Sequence, residues 1–276
     1  MYCVKSDTQP ASSFAALSSQ QSPQDVCFVF PGMTAKLWAS SEGLVDRSAY
    51  YESLLCSDFS ESTMHTDSET AAAASNRAPV SDLFDDSDDE TDEHFEAINM
   101  QPARLTRPDP LPRKDVVIND TAFTTYQATL VWMSSCYIRF APLRSSWEGL
   151  TSGIHNSRVH VISEMIEANP RTSLPASPKS VYRLAHLLEL KDLQEIALHN
   201  LHAQLTVRNA ATELFSDVAS AYPAVRDTIL RYAVRNWAAV CTSSAYEKVK
   251  ERADAGDLPI GAAHTALLLS ERMKTP

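Results

Sequence analysis

Between Thr63 and Met100 the chain carries eleven acidic residues against a single base, Arg77. Nearly all of its net charge of −11 sits there. The same stretch holds the alanine run Ala71 to Ala74 and almost no periodic apolar residues. Apolar burial in such a segment cannot offset the entropy of ordering it, so residues 63–113 are read as a disordered acidic insert. The fold must then be assembled from two flanks that are together close to neutral. The insert is either a solvated spacer or a regulatory tail. Ser87 precedes Asp88, Asp89 and Glu90, an acidic context for phosphorylation, and a phosphate there adds like charge and extends the loop. Prolines at 102, 108, 110 and 112 lead out of the insert in extended chain.

An acidic chain with a sequence pI of about 5.2 is a poor candidate for direct nucleic-acid binding. No run of apolar residues is long enough to span a membrane. Met1 to Gln21 lacks a basic start followed by an apolar block, so it does not read as a secretory signal, and residues 1–22 read as a disordered N-terminus. The five cysteines, Cys3, Cys27, Cys56, Cys136 and Cys241, are odd in number and none sits at metal-ligand spacing. Reduced thiols in the cytoplasm or nucleus follow.

Two short β-branched and aromatic runs, Asp25–Pro31 and Lys36–Ser40, flank Pro31-Gly32 and predict a β-hairpin. Leu44 to Phe59 has helical spacing, with Ser41 or Asp46 as its cap. Beyond the insert, Asp115–Ile118 reads as a strand. Thr121–Met133 reads as a buried helix with Asp120 or Thr121 near its cap. Tyr137–Pro142 is extended. Residues 144–176 form a turn-rich connecting stretch with one helix, Val159–Ala168. From Ser177 the pattern is helical. Ser177 is an N-cap before Pro178 at the first helical position. Asp192 caps a second helix, and Thr206 starts a third that runs through Phe215. Arg226–Val240, Ser244–Ala255 and Ile260–Met273 follow. Their short connections imply antiparallel neighbours.

The order of hairpin, helix, strand, helix, extended piece and paired helices resembles the BTB/POZ domain, most of all the divergent BTB proteins of basidiomycete fungi. Asp25-Val-Cys-Phe-Val-Phe-Pro31 is similar to the family's opening strand and Leu37-Trp-Ala-Ser-Ser41 to its second. Ser48-Ala-Tyr-Tyr51, Asn119–Tyr126, Ile138–Leu143, Ser177–Ala185 and Leu190–Leu193 follow in the family's order. Residues 206–273 resemble the BACK-like helical extension. The implied fold is α+β, a BTB/POZ-like core of a small sheet flanked by helices, followed by an all-helical extension. The core spans 23–62 and 114–205, and the extension 206–276. The chain departs from the family in its long insert and in residues 144–176, which have no counterpart. It also has Trp132-Met-Ser-Ser-Cys136 where the family carries a glycine-ended turn.

The resemblance implies a non-enzymatic protein–protein interaction module, pairing with itself or with other proteins. Its dimer face would draw on Phe28, Phe30, Leu44, Tyr50 and Tyr51, residues that could equally serve the intrachain core. Phe59-Ser-Glu61 falls where BTB adaptors contact a cullin scaffold, which implies an adaptor for a cullin-type E3 ubiquitin ligase. Phe59 would fill a pocket and Glu61 would pair with a base at its rim; alternatively Phe59 closes its helix on the core. No substrate-recruiting domain is visible. The rival readings are a BTB-type transcriptional or chromatin co-factor with indirect DNA contact, and a metal enzyme built on His199 and His202, which share a helix face at i, i+3 spacing. No nucleophile elbow, phosphate loop, dinucleotide fingerprint or zinc-protease motif is present, so no catalytic residue, metal or cofactor is assigned.

Overall fold

The computed structural model describes residues 24–31, 33–56, 62–65, 88–92, 113–147 and 157–274. The two flanks of the acidic run build one α+β structure. Strand β1 (Val26–Val29) pairs antiparallel with β2 (Lys36–Ala39), which is the expected hairpin. Two helices follow, α1 (Ser41–Arg47) and α2 (Ala49–Cys56). Strand β3 (Ser62–His65) lies at one edge, antiparallel to β4 (Arg113–Val117), and β4 runs parallel to β1, with Val26 beside Lys114 and Val29 beside Val117. The strand order is β2-β1-β4-β3. Alternation along the strands puts Val26 and Phe28 with Leu37 and Val116 on the core face.

The helix expected over Leu44–Phe59 is interrupted at Ser48, whose hydroxyl donates to the carbonyl of Leu188 at 2.8 Å and ties the junction to a later helix. Its cap also differs from the expected Ser41 or Asp46. Asp25, just before β1, accepts the Ser41 backbone N–H at 2.7 Å and the Ser41 hydroxyl at 2.5 Å.

Helix α3 (Phe123–Ser135) is enclosed along most of its length, the polar Thr124, Thr125, Gln127 and Thr129 as well as its apolar residues. Its Tyr126 and Phe123 meet Phe28 and Phe30, with Phe28–Tyr126 ring centroids 4.9 Å apart and Phe30–Phe123 5.3 Å. The Tyr51 and Tyr126 hydroxyls lie 2.7 Å apart in this cluster. The connecting stretch after Pro142 is folded where it is described. A 3-10 turn (Arg144–Ser146) is followed by α4 (Arg158–Ala168), one residue longer at its start than expected, and Phe140 bridges in parallel to Ala176.

The C-terminal half is helical as expected: α5 (Pro178–Leu187), α6 (Lys191–Gln204), α7 (Ala210–Leu214), α8 (Asp217–Ala221), α9 (Pro223–Arg235), α10 (Trp237–Val240), α11 (Ser244–Asp254) and α12 (Ala262–Lys274). Helix α8 lies between two expected helices, and three expectations are corrected here: Asp192 sits in the first turn of α6, whose N-cap is Leu190, and two boundaries differ. Thr206 does not open a helix, because Asn209 Oδ1 takes its N–H at 2.7 Å in a local turn. The expected Arg226–Val240 helix starts earlier, at Pro223, and breaks at Asn236, whose side-chain amide donates back to the Tyr232 carbonyl. One apolar cluster runs from Val26 in β1 to Leu269 in α12, so sheet and helices share a core.

The largest correction concerns the insert. Residues 62–65 form β3, β4 begins at Arg113, and residues 88–92 make a helical turn seated against the core. The composition argument holds only while the acids have no partners, and at 88–92 they have them.

Candidate functional site

Three helices begin around the turn 88–92, and their starts explain why it binds there. The first N–H groups of a helix lack intrahelical acceptors, and its dipole is positive at that end. Helix α3 has Ala122 at its N-cap, a residue with no side-chain acceptor. Asp92 supplies what is missing: Oδ2 accepts the Phe123 N–H at 2.6 Å, Oδ1 accepts the Thr124 N–H at 2.9 Å, and the Thr124 hydroxyl also donates to Oδ1. This replaces the expected Asp120 or Thr121 cap. One turn earlier, Asp88 Oδ1 pairs with the guanidinium of Arg158, the first residue of α4, at 2.8 Å. Asp88 Oδ2 accepts the Ser177 N–H, at the N-cap of α5, at 2.7 Å and the Thr125 hydroxyl at 2.8 Å.

Arg158 is sealed in. Its side chain is 2% exposed and that of Asp88 0%. It also donates from Nε to the Pro142 carbonyl at 2.8 Å and from Nη1 to the Thr91 hydroxyl at 3.4 Å, with Glu90 at 3.9 Å. Two carboxylates, those of Asp88 and Glu90, thus face one guanidinium. Burial is the main cause that pushes the Asp92 carboxyl up to about 7, and the nearby Asp88 charge adds to it, while the bonds from Thr124 and Phe123 oppose it. A second enclosed charge lies on α7, where Lys179 stands 3.0 Å from Glu213 and the Ser145 hydroxyl donates to the same carboxylate. It fastens the 3-10 turn to α5 and α7.

The residues expected to form a dimer face sit elsewhere. Phe28, Phe30, Leu44 and Tyr51 are at most 4% exposed, packed within the chain's own core. In this conformation they have no area left to bury against a second copy, and Tyr50 alone of the five is half-buried. Phe59, Glu61 and Ser87 lie outside the described residues. His199 and His202 are both exposed on α6, and the His202 ring approaches Tyr232 with centroids 6.3 Å apart. Among the described residues no three His, Cys, Asp or Glu side chains cluster as metal ligands would. Nor is any helix among them long and apolar enough to cross a membrane. Cys27 is buried in β1, and burial, with Asp115 adding to it, pushes its thiol up to about 11, which suits a small core residue rather than a nucleophile.

The sequence carried one signal for the acidic seat: Asp88 and Asp92 are four residues apart, one helical turn. Asp82–Asp86, Asp85–Asp89, Asp86–Glu90, Asp89–Glu93 and Asp92–Glu96 share that spacing. No local feature separates the seated pair from the others. No protein-family model and no curated protein matches the chain.

Proposed function

We propose that the chain is a non-enzymatic protein–protein interaction module of the BTB/POZ kind, working in the cytoplasm or nucleus, with its C-terminal helices positioning a second partner. The observation that carries this reading is the parallel pairing of β4 with β1. Segments on either side of the acidic run join in one sheet, in the element order that the BTB/POZ resemblance implies. Association would use surfaces other than the aromatic cluster. Leu187 and Ile196, on α5 and α6, and Leu267, on α12, are large apolar side chains left exposed. The finer proposal is a cullin-type ligase adaptor through Phe59 and Glu61.

Two measurements test the reading. Light scattering of the full chain across a wide concentration range is expected to show a species larger than one protomer. Capture of a cullin by the wild type, weakened by Phe59→Ala and by Glu61→Lys, is expected if the adaptor version holds. A monomer at every concentration, with no cullin retained by any form, would end both.

A further inference from the structure

We propose that the recess between α9 and α12 is a binding site for a phosphorylated serine or threonine of a partner protein, held by Arg231, Arg235 and Arg272. This names the chemistry of the second partner of the C-terminal helices, and it rests on that reading only in placing a partner there.

Two of the three arginines come from one helix. Arg231 and Arg235 stand four residues apart on α9 and so share a face, and Arg272 reaches the same recess from the last turn of α12. Leu230 and Val234 complete the lining. Leu230 is buried and Val234 half-buried, whereas all three arginines are exposed, so an apolar floor lies under a basic rim. Arg231 donates from Nε to the Asp227 carbonyl at 3.2 Å and from Nη2 to the Thr228 hydroxyl at 3.4 Å, both on its own helix, and its other donors stay uncommitted. Among the described residues Arg235 and Arg272 make no hydrogen bond or ion pair. Both lie in the last turns of their helices, where a cation suits the negative end of the dipole. That end carries about half a charge, against a full charge on each guanidinium, and it does not account for Arg231. Three clustered positive charges without a carboxylate partner stand out in a chain of net charge −11.

Size and charge together select the ligand. At about 190 Å³ the recess is smaller than the roughly 300–1,000 Å³ of sites that enclose a whole small molecule, and it suits a single side-chain group. A phosphate monoester brings a charge of about −1.5 to −2 and three acceptor oxygens, enough to engage several guanidinium forks at once. A carboxylate brings one charge and two oxygens. Nucleic acid is gripped by a basic track along successive phosphates, often with aromatic stacking, whereas these arginines line one recess of an acidic chain. An anionic membrane surface calls for a larger cluster, roughly 4–8 Lys or Arg. Leu230 and Val234 would take an apolar residue beside the phosphorylated one, which gives the site a peptide to read rather than a bare anion.

The test uses the full chain and two immobilised peptide libraries with random flanks, one with phosphoserine at its centre and one with serine. The wild type is expected to be retained at least about tenfold more strongly on the phosphoserine library. Arg272→Glu and the double variant Arg231→Ala/Arg235→Ala should lose that preference. Lys248→Glu makes the same charge change at an exposed position on α11 and should keep it. Arg272→Lys retains the charge without the fork and should fall between. Thermal melts should show every variant folded, because the altered side chains are exposed. Equal retention of the wild type on both libraries overturns the proposal, as does a loss in Lys248→Glu as large as that in Arg272→Glu. Binding to single-stranded DNA or phosphatidylserine vesicles with no preference for phosphoserine would also overturn it, by assigning the arginines to another anion. Light scattering and cullin capture do not involve these arginines, so the BTB/POZ reading can fail while the phosphoserine preference stands.

Discussion

Asp88 Oδ1 lies 2.8 Å from Arg158 Nη2, with neither side chain open to solvent. The pair joins the acidic run to the start of α4. Removing one partner strands the other charge in the core, at a cost of about 3–5 kcal/mol, whereas replacing both with apolar residues is often close to neutral. Arg158→Met and Asp88→Leu should each lower the urea midpoint sharply. The double variant should recover most of that loss, although the Thr125 hydroxyl and Ser177 N–H then lack their acceptor. Additive losses in a double-mutant cycle would mean that the two charges do not sense each other.

Asp92 makes docking of the turn depend on pH. Its carboxyl is raised from 3.8 to about 7, so the folded chain holds a proton that the unfolded chain releases. The stability this group contributes is complete below pH 3.8 and is lost as pH rises through about 7. Between pH 5 and 8 the wild type should therefore lose stability as pH increases. Asp92→Asn, which cannot titrate, should flatten that part of the profile. Chemical denaturation at a series of pH values checks it, and an unchanged slope in the variant would assign the effect to another group.

The Tyr51 and Tyr126 hydroxyls share one buried hydrogen bond at 2.7 Å. Burial is the main cause that raises both phenols above the ordinary tyrosine range. Either single change to Phe leaves one hydroxyl without its partner and should cost about 1 kcal/mol. The double change Tyr51→Phe/Tyr126→Phe leaves no orphan and should cost less than the two singles together. Ultraviolet titration should also show these two phenols resisting ionisation until the chain unfolds, a fraction that disappears in the double variant.

Sequence reasoning reached the elements whose patterns are local. The hairpin followed from two β-branched runs around Pro31-Gly32, and α5 from Ser177 before Pro178. Helices α5, α6, α11 and α12 followed from the spacing of their apolar residues. It missed what distant partners decide. Both α1 and α3 start without a side-chain cap of their own, and Asp25 and Asp92 serve them from outside the helix. A cap of that kind leaves no trace in the four residues around a helix start. The same holds for Ser48, where a carbonyl 140 positions away helps to break a helix that its apolar spacing would have continued. The acidic run misled for a related reason. Its composition forbids a core of its own, but a five-residue piece can still be held by a core built from other residues.

Two glycines should respond oppositely to the same change. Gly43 lies within α1, and a methyl group added there would meet nothing within 4 Å. Gly43→Ala removes backbone freedom from the unfolded chain at no steric cost and should stabilise the protein by about 0.5–1 kcal/mol. Gly261 immediately precedes α12, and a methyl group there would stand 2.8 Å from the Cβ of Ser220 in α8 and 3.3 Å from its Cα. Neither atom can rotate aside, so the start of α12 must shift away from Ser220. Gly261→Ala should therefore destabilise by about 1–3 kcal/mol. Ser220→Gly removes the opposing Cβ and should restore part of the loss in the Gly261→Ala background while lowering stability in the wild type. Thermal melts of the four single and combined variants test the contact, and failure of Ser220→Gly to rescue would show that α12 does not approach α8 this closely.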